Sequence, residues 1–372
     1  MVVADSMDQP FTPLVRSLPS SVPFVGPEAM ERRTGVAFRA RIGANESVFG
    51  PSPNVIAAIQ ETAAQVWKYC DPENHDLKVA LARHLGVTPE NIAVGEGIDG
   101  LFGYAVRLFV EPGVAVATSL GAYPTFNFHV RGHGGRLVTT PYVTDHEDPQ
   151  SLLDLARREK ARLIYLANPD NPMGSWWGAA VIADMIANLP PGALLMLDEA
   201  YGEFAPAGTL PPLDVGNPRV LRFRTFSKAY GLAGLRLGYA IGHVDVIKAF
   251  DRIRNHFGVT RLGQMAGPAA LSDQDHLAKV VSQVAAARTA IAAIAQDNGL
   301  HPLASAANFV AIDCGQDGDH ARRVLEALLS RGIFVRMPGV APLDRCIRVT
   351  AGTDADLAIL AKELPAAIAA AG

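Results

Sequence analysis

Cysteine is scarce in this chain: 372 residues contain three, Cys70, Cys314 and Cys346. They are too few and too scattered for a disulfide framework or for a metal site built on paired thiolates, and they read as reduced packing residues. Charge is also sparse, at 19% of residues with a formal net of −4, and no block of Lys or Arg is long enough to track phosphates along a duplex. This points away from nucleic acid as a main partner. No run approaches the roughly eighteen uninterrupted apolar residues of a membrane span. The opening MVVADSMDQPFTP lacks the basic stretch and apolar core of a secretory signal. The expectation is a cytoplasmic protein with no membrane partner.

What is present is apolar. Hydrophobic residues make up 49% of the chain, enough for a sizeable core, and at about 150 residues per domain the length suits two or three domains. The first fifty residues are rich in Pro, Ser and Gly (LPSSVPFVGPE, GANESVFGPSP), which suits an extended arm. From Ser52 helical periodicity takes over, in SPNVIAAIQETAAQVWKY and in HDLKVALARHLG, the second closed by Gly86. The runs NIAV, AVAT, RLIYLA, ALLMLD, VLRFRT and RLGYAIG are short and lack polar alternation, as strands buried on both faces do. Helical segments lie between many of them, which predicts an α/β layered fold with a mostly parallel central sheet. Ala-rich helices follow residue 245, then a short αβ segment with strands near ANFVAID, IFVRM and CIRVTA. The expected division is an arm and part of a small domain over 1–50, a large domain over 51–250 and a smaller α/β domain over 251–372.

In open parallel sheets ligands bind beyond the carboxyl ends of the strands. Four polar segments directly follow apolar runs: GEGIDG (95–100), NPDNPMG (168–174), DEAY (198–201) and Ser227-Lys228. GEGIDG has the spacing of a dinucleotide turn, but no acidic residue ends the next strand, where VATSLGAY stands. Backbone N–H groups near Gly97 and Ile98, at a helix start, suit a phosphate instead, and a tight turn with no ligand is the plain alternative.

Lys228, in TFSKAYGLAGLRLGY, is the central residue. Burial on an apolar, Gly-rich segment would lower its pKa and leave the amine nucleophilic, as Schiff-base chemistry requires. Asp198 can pair with a pyridinium nitrogen and keep such a ring an electron sink. Tyr201 and Asn171 can both address the ring's phenolate oxygen, while Arg236 and the Ser227 hydroxyl suit a phosphate. Singly, these are capping, turn or surface residues. Together they describe a pyridoxal 5′-phosphate site.

TFSKAYGLAG resembles the lysine signature of class II pyridoxal-phosphate aminotransferases. The order NPDNPMG, DEAY, SKAYGLAGLR is similar to that of the histidinol-phosphate aminotransferase family, and the likeness runs from RIGANESVFGPSP to CIRVTAGT. The resemblance implies the fold type I architecture, Lys228 as Schiff-base lysine and proton shuttle, and the cofactor roles just given to Asp198, Tyr201, Asn171, Ser227 and Arg236. It also implies that Tyr123 stacks on the cofactor and that Tyr69 reaches the phosphate of the neighbouring subunit's cofactor, hence a homodimer with shared sites. Arg348 would grip the substrate α-carboxylate and Arg336 a distal phosphate, with Asn45 on the substrate side. Core or interface packing is the plain alternative at Tyr123 and Tyr69.

Departures fall at the distal end of the substrate site. Phe24 stands where the family has a tyrosine, HFGVTR around Phe257 replaces an aromatic-Asn pair and adds Arg261, and Gly100 replaces an acidic residue. Trp176 and Trp177 either wall that side or pack on the sheet, packing being preferred. The amino donor and the 2-oxo acid acceptor stay open. A decarboxylase of the threonine-phosphate type, using the same cofactor, and a non-catalytic ligand-binding module are the competing classes.

Overall fold

The computed structural model describes residues 10–20 and 24–372. The opening segment read as lacking a signal, and part of the arm expected over 1–50, lie outside the described residues. In chain order the strands are β1 (Ala40–Arg41), β2 (Ile92–Glu96), β3 (Ala115–Ser119), β4 (Arg136–Thr140), β5 (Leu163–Ala167), β6 (Leu194–Asp198), β7 (Val220–Thr225), β8 (Leu237–Ile241), β9 (His301–Pro302), β10 (Phe309–Asp313), β11 (Ile333–Phe334) and β12 (Cys346–Thr350).

Seven strands form one sheet in the order β2-β8-β7-β6-β5-β3-β4. Pairings from β7 to β4 are parallel, and β8 runs antiparallel to both its neighbours. All residues of β3, β5, β6 and β8 are buried, as unbroken apolar runs demand of strands covered on both faces. One cover is the helix Gly97–Phe109, which buries Ile98, Leu101, Phe102, Ala105 and Val106 at helical spacing. Its Phe102 meets Phe126, Tyr165 and Phe223 edge-on. On the other face Leu152, Ala156, Ile182 and Met185 from two helices pack on Ala117, Ile164 and Leu195.

Residues β12-β10-β9 form an antiparallel three-stranded sheet, and β1 pairs in parallel with β11. The helix Gln274–Asp297 is long and apolar enough by composition to cross a membrane. Its buried stripe, Val280, Val284, Ala287, Ile291 and Ala295, follows helical spacing, and the helix packs on β9, β10 and the helix Asp354–Ala371.

Two local expectations change. The helix expected over 52–69 stops at Ala63. Of its residues only Val55 and Thr62 are buried, and beyond it Trp67 and Tyr69 are 79% and 80% exposed. With no described residue covering that face, further helix gains little from packing. Strand β4 was not anticipated: it is a half-exposed edge strand, RLVTT, without a continuous apolar run.

Candidate active site

The carboxyl ends of β2, β3, β5, β6 and β7 face one cavity of about 1010 Å³. Its lining includes Asn45, Ile98, Tyr123, Asn171, Asp198, Tyr201, Ser227, Lys228, Arg236, Arg336 and Arg348. The polar segments that follow apolar strands therefore converge, as strand-end geometry predicts. Gly97 does not line the cavity but shapes it. Its φ is +74°, and a Cβ there would lie 2.6 Å from the Arg236 guanidinium, so the backbone must come close to that arginine.

Asp198 ends β6, 5% exposed. Oδ2 accepts from the Tyr165 hydroxyl at 2.7 Å and Oδ1 from the Ala200 N–H at 2.9 Å. Burial pushes its carboxyl up to about 6, and these two bonds oppose the rise without cancelling it. Lys228 follows β7, and its Nζ donates to the Asn45 carbonyl oxygen at 3.0 Å and lies 5.6 Å from the Tyr201 ring centre. Desolvation, reinforced by the Arg348 charge, depresses the amine to about 8. The Tyr201 hydroxyl accepts from the Asn45 amide at 2.9 Å and from the Asn171 amide at 3.4 Å, and burial raises it to about 12.

The cations separate into two groups. Arg236, in the left-handed conformation with φ +52°, stands 3.6 Å from Asp99 at the start of the helix Gly97–Phe109. Asp99 also accepts from the Tyr123 hydroxyl at 3.0 Å. The Ser227 hydroxyl is 3.0 Å from that of Thr225. Arg348, in β12, is 7% exposed rather than on the surface. One of its terminal nitrogens donates to Asn171 Oδ1 at 2.6 Å, its guanidinium lies 5.1 Å from the Phe309 ring centre, and its buried Nε has no hydrogen-bond partner among the described residues. Arg336 donates to the Val25 carbonyl and stacks 3.8 Å from the Phe24 ring centre. Burial lowers it to about 10, with Arg348 nearby adding to the effect. Phe24 thus offers a π face to that arginine.

Tyr69 does not join this cavity. Its ring lies against Phe257 at 4.8 Å, out on the surface. Trp177 packs against the apolar layer beside β3 and β5 and donates to the Glu147 carbonyl at 2.7 Å, and neither Trp176 nor Trp177 lines the cavity. Sequence reasoning missed three contributors. Tyr165 lies inside an apolar run and reads as core. Thr350 bonds both the Asn45 backbone N–H and its side chain, and Asn308 donates to the Asn45 carbonyl. Both are hundreds of residues from Asn45, and no spacing signal joins them to it.

The class I and II aminotransferase family model matches residues 41–364. A histidinol-phosphate aminotransferase of Anaeromyxobacter sp. (strain Fw109-5) is 37% identical over 344 residues, 91% of this chain and 94% of the relative. A crystal structure of histidinol-phosphate aminotransferase from Sinorhizobium meliloti in complex with pyridoxal-5′-phosphate is 57% identical, covers 99% of this chain and 100% of its own, and superposes with a TM-score of 0.96. Aspartate aminotransferase from Thermus thermophilus with maleate, at 22% identity and a TM-score of 0.82, shares the fold. With its parallel sheet, strand-end cavity and buried lysine, the chain belongs to the class I and II aminotransferases.

Proposed function

We propose that this aminotransferase holds pyridoxal 5′-phosphate on Lys228 and moves an amino group between histidinol phosphate and a 2-oxo acid. The observation that carries the cofactor assignment is a buried amine depressed to about 8 that shares one cavity with a buried carboxylate having no cationic partner among the described residues, Lys228 and Asp198. Two features fit the group: Asp198 suits a cationic ring N–H, and the close backbone at Gly97 with Arg236 and Ser227 suits a phosphate. The Arg348 Nε, without a partner among the described residues, suits a substrate anion. The names of the relatives support histidinol phosphate as amino donor.

When bound, the cofactor supplies an electron sink for charge developing at the substrate Cα. The residues do the rest. Asp198 would set its negative charge against a cationic ring nitrogen, and Tyr201, braced by Asn45 and Asn171, would offer its hydroxyl to the ring oxygen. The Lys228 amine, depressed to about 8, would carry the cofactor and, when free, would move the proton at the substrate Cα as general base. Arg348 orients the substrate by its anion, aligned by Asn171. Two half-reactions at one site give ping-pong kinetics.

The proposal extends to a homodimer in the cytoplasm, with Tyr69 serving the partner's site and the three-part division over 1–50, 51–250 and 251–372. Exposed Trp67, Tyr69 and Phe257 support the dimer. The decarboxylase alternative has no supporting observation in the site or these relatives. A transamination screen with histidinol phosphate, aromatic and small aliphatic amino acids tests the reading. Turnover of histidinol phosphate well above the others is expected. Its absence alongside good turnover of another donor overturns the substrate, and carbon dioxide release without a 2-oxo acid overturns the reaction.

A further inference from the structure

Behind the Asn171–Arg348 contact lie two carboxyl groups that the chemistry above does not use. Asp170 is 2% exposed and Glu147 1%, and neither lines the cavity. Asp170 Oδ1 accepts from the Tyr142 hydroxyl and Oδ2 from the Met173 N–H, both at 2.9 Å. Glu147 Oε1 accepts from the Ala167 N–H at 2.9 Å, while its buried Oε2 has no hydrogen-bond partner among the described residues. Among the described residues neither has a cation within ion-pair distance.

Two carboxylates buried together without a cation cannot both be ionised at low cost. Burial raises both; the Asp170 charge raises Glu147 as well, while Met173 N–H, the Tyr142 hydroxyl and the Arg348 charge favour the ionised form of Asp170. A proton on Glu147 Oε2 turns an orphaned acceptor into a donor that can be shared with Asp170. The groups facing the pair are Ser119 at the end of β3, Tyr142 after β4, Tyr165 in β5, Tyr201 after β6 and Arg348 in β12. Of these Arg348 carries the charge. Asp170 also shapes the turn that presents Asn171, through Met173 N–H on its side chain, Gly174 N–H on its carbonyl at 3.1 Å and its own N–H on the Ser175 carbonyl at 2.8 Å.

We propose that Glu147 and Asp170 share one proton and act as the positioning and charge-balancing pair of the Arg348 anion grip. Glu147 keeps the proton, Asp170 stays anionic, and its charge faces Arg348 while its turn aligns Asn171. A substrate anion on Arg348 places a second negative charge near Asp170, so the pair takes up a further proton from solvent as the anion binds. Anion affinity then rises as pH falls. This rests on Arg348 as the grip proposed above.

The test uses holoenzyme with its cofactor bond reduced by borohydride, so that no imine titrates, and maleate as the anion. Calorimetry in buffers of different ionisation enthalpy counts protons. Infrared difference spectra against Glu147→Gln look for a protonated carboxyl band. We expect that band at neutral pH in the wild type. We also expect net proton uptake with maleate, with the dissociation constant rising with pH by at most ~10-fold per unit, the limit for one linked proton. Asp170→Asn should flatten the profile. Tyr142→Phe, which removes one bond to the charged form, should move its midpoint upward even if Asp170→Asn fails to fold. Identical proton uptake in wild type, Asp170→Asn and Tyr142→Phe, or no band lost in Glu147→Gln, overturns the proposal. Failure of the wild type to bind maleate at any pH overturns the Arg348 grip itself, a distinguishable result.

Discussion

Lys228 and Asn45 meet across 183 positions of sequence, the amine donating to the backbone carbonyl at 3.0 Å. Asn45 holds the left-handed conformation, φ +56°, that its residue type tolerates, and its side chain bonds Tyr201 and Thr350. Asn45→Ala should cost about 1–2 kcal/mol in folding from the backbone alone. It should lower kcat/KM by roughly 10-fold through loss of a hydrogen bond of about 1.4 kcal/mol at Tyr201. Asn45→Gly separates the two effects, relieving the strain while keeping the catalytic loss. Denaturant titration and steady-state kinetics read them.

The Lys228 amine fixes a pH profile. Its folded pKa of about 8 lies below the ordinary lysine value of about 10.4. Cofactor attachment to the cofactor-free enzyme, followed by visible absorbance, should speed up ~10-fold per unit below pH 8 and level off above it. The linkage has a definite sign. Between pH 8 and about 10.4 the unfolded chain binds more protons at this lysine than the folded one, so folding of the cofactor-free enzyme becomes more favourable as pH rises through that window. A rate still climbing from 9 to 10 would contradict the depressed amine.

Much of the frame is legible because burial on both faces writes unbroken apolar runs, as in LIYLA and LLMLD, and polar residues at their ends mark the cavity. The antiparallel course of β8 leaves no such mark: RLGYAIG is as apolar as the parallel strands of the same sheet, and direction is set by which residues its ends must meet. Edge strand β4 lacks the signal for the opposite reason, being half wet. Within the site, local motifs carry Lys228, Asp198 and Asn171, but the partners that tune them do not share a motif. Glu147 sits in the polar segment VTDHEDPQ, which reads as a solvated turn, and only tertiary packing buries it against NPDNPMG. The end of the helix at Ala63 illustrates a third limit, since periodicity through Tyr69 describes a face that the described residues leave uncovered.

Glu199 makes a structural prediction next to Asp198. It is fully buried and accepts from Arg222 Nε at 2.8 Å and from Arg224 Nε at 2.8 Å. Glu199→Gln leaves the buried Arg222 and the partly buried Arg224 without this counter-ion and should destabilise the fold by about 3–5 kcal/mol, read by denaturant titration. The double replacement of both arginines by apolar residues along with Glu199→Leu should recover part of that loss.

Arg348 should act on binding rather than on turnover of the bound complex. Arg348→Gln removes a buried cation that Asn171 aligns at 2.6 Å. Losing a charged hydrogen bond of about 1.5–3 kcal/mol should raise the KM of the 2-oxo acid by roughly 10- to 150-fold. Cofactor affinity should be little changed, since the Arg236 and Ser227 end is untouched, while the Lys228 titration should move upward with the loss of the Arg348 charge. Equal falls in kcat and kcat/KM, with KM unaltered, would assign Arg348 an interaction made only in the transition state.

Tyr69 offers a test of shared sites that needs no knowledge of the substrate. It is 80% exposed, with its ring against Phe257, which is 49% exposed. If it completes the neighbouring subunit's phosphate site, Lys228→Ala and Tyr69→Ala homodimers both fail at limiting cofactor, the first for want of the amine and the second for weak cofactor binding. In a hybrid of the two, one site pairs the native Lys228 of one subunit with the native Tyr69 of the other, while the opposite site has neither. Mixing under conditions that exchange subunits should therefore restore about half of the wild-type activity per hybrid dimer, from one intact site out of two. If Tyr69 serves its own subunit instead, native Lys228 and native Tyr69 never meet in one site of the hybrid, and mixing restores nothing.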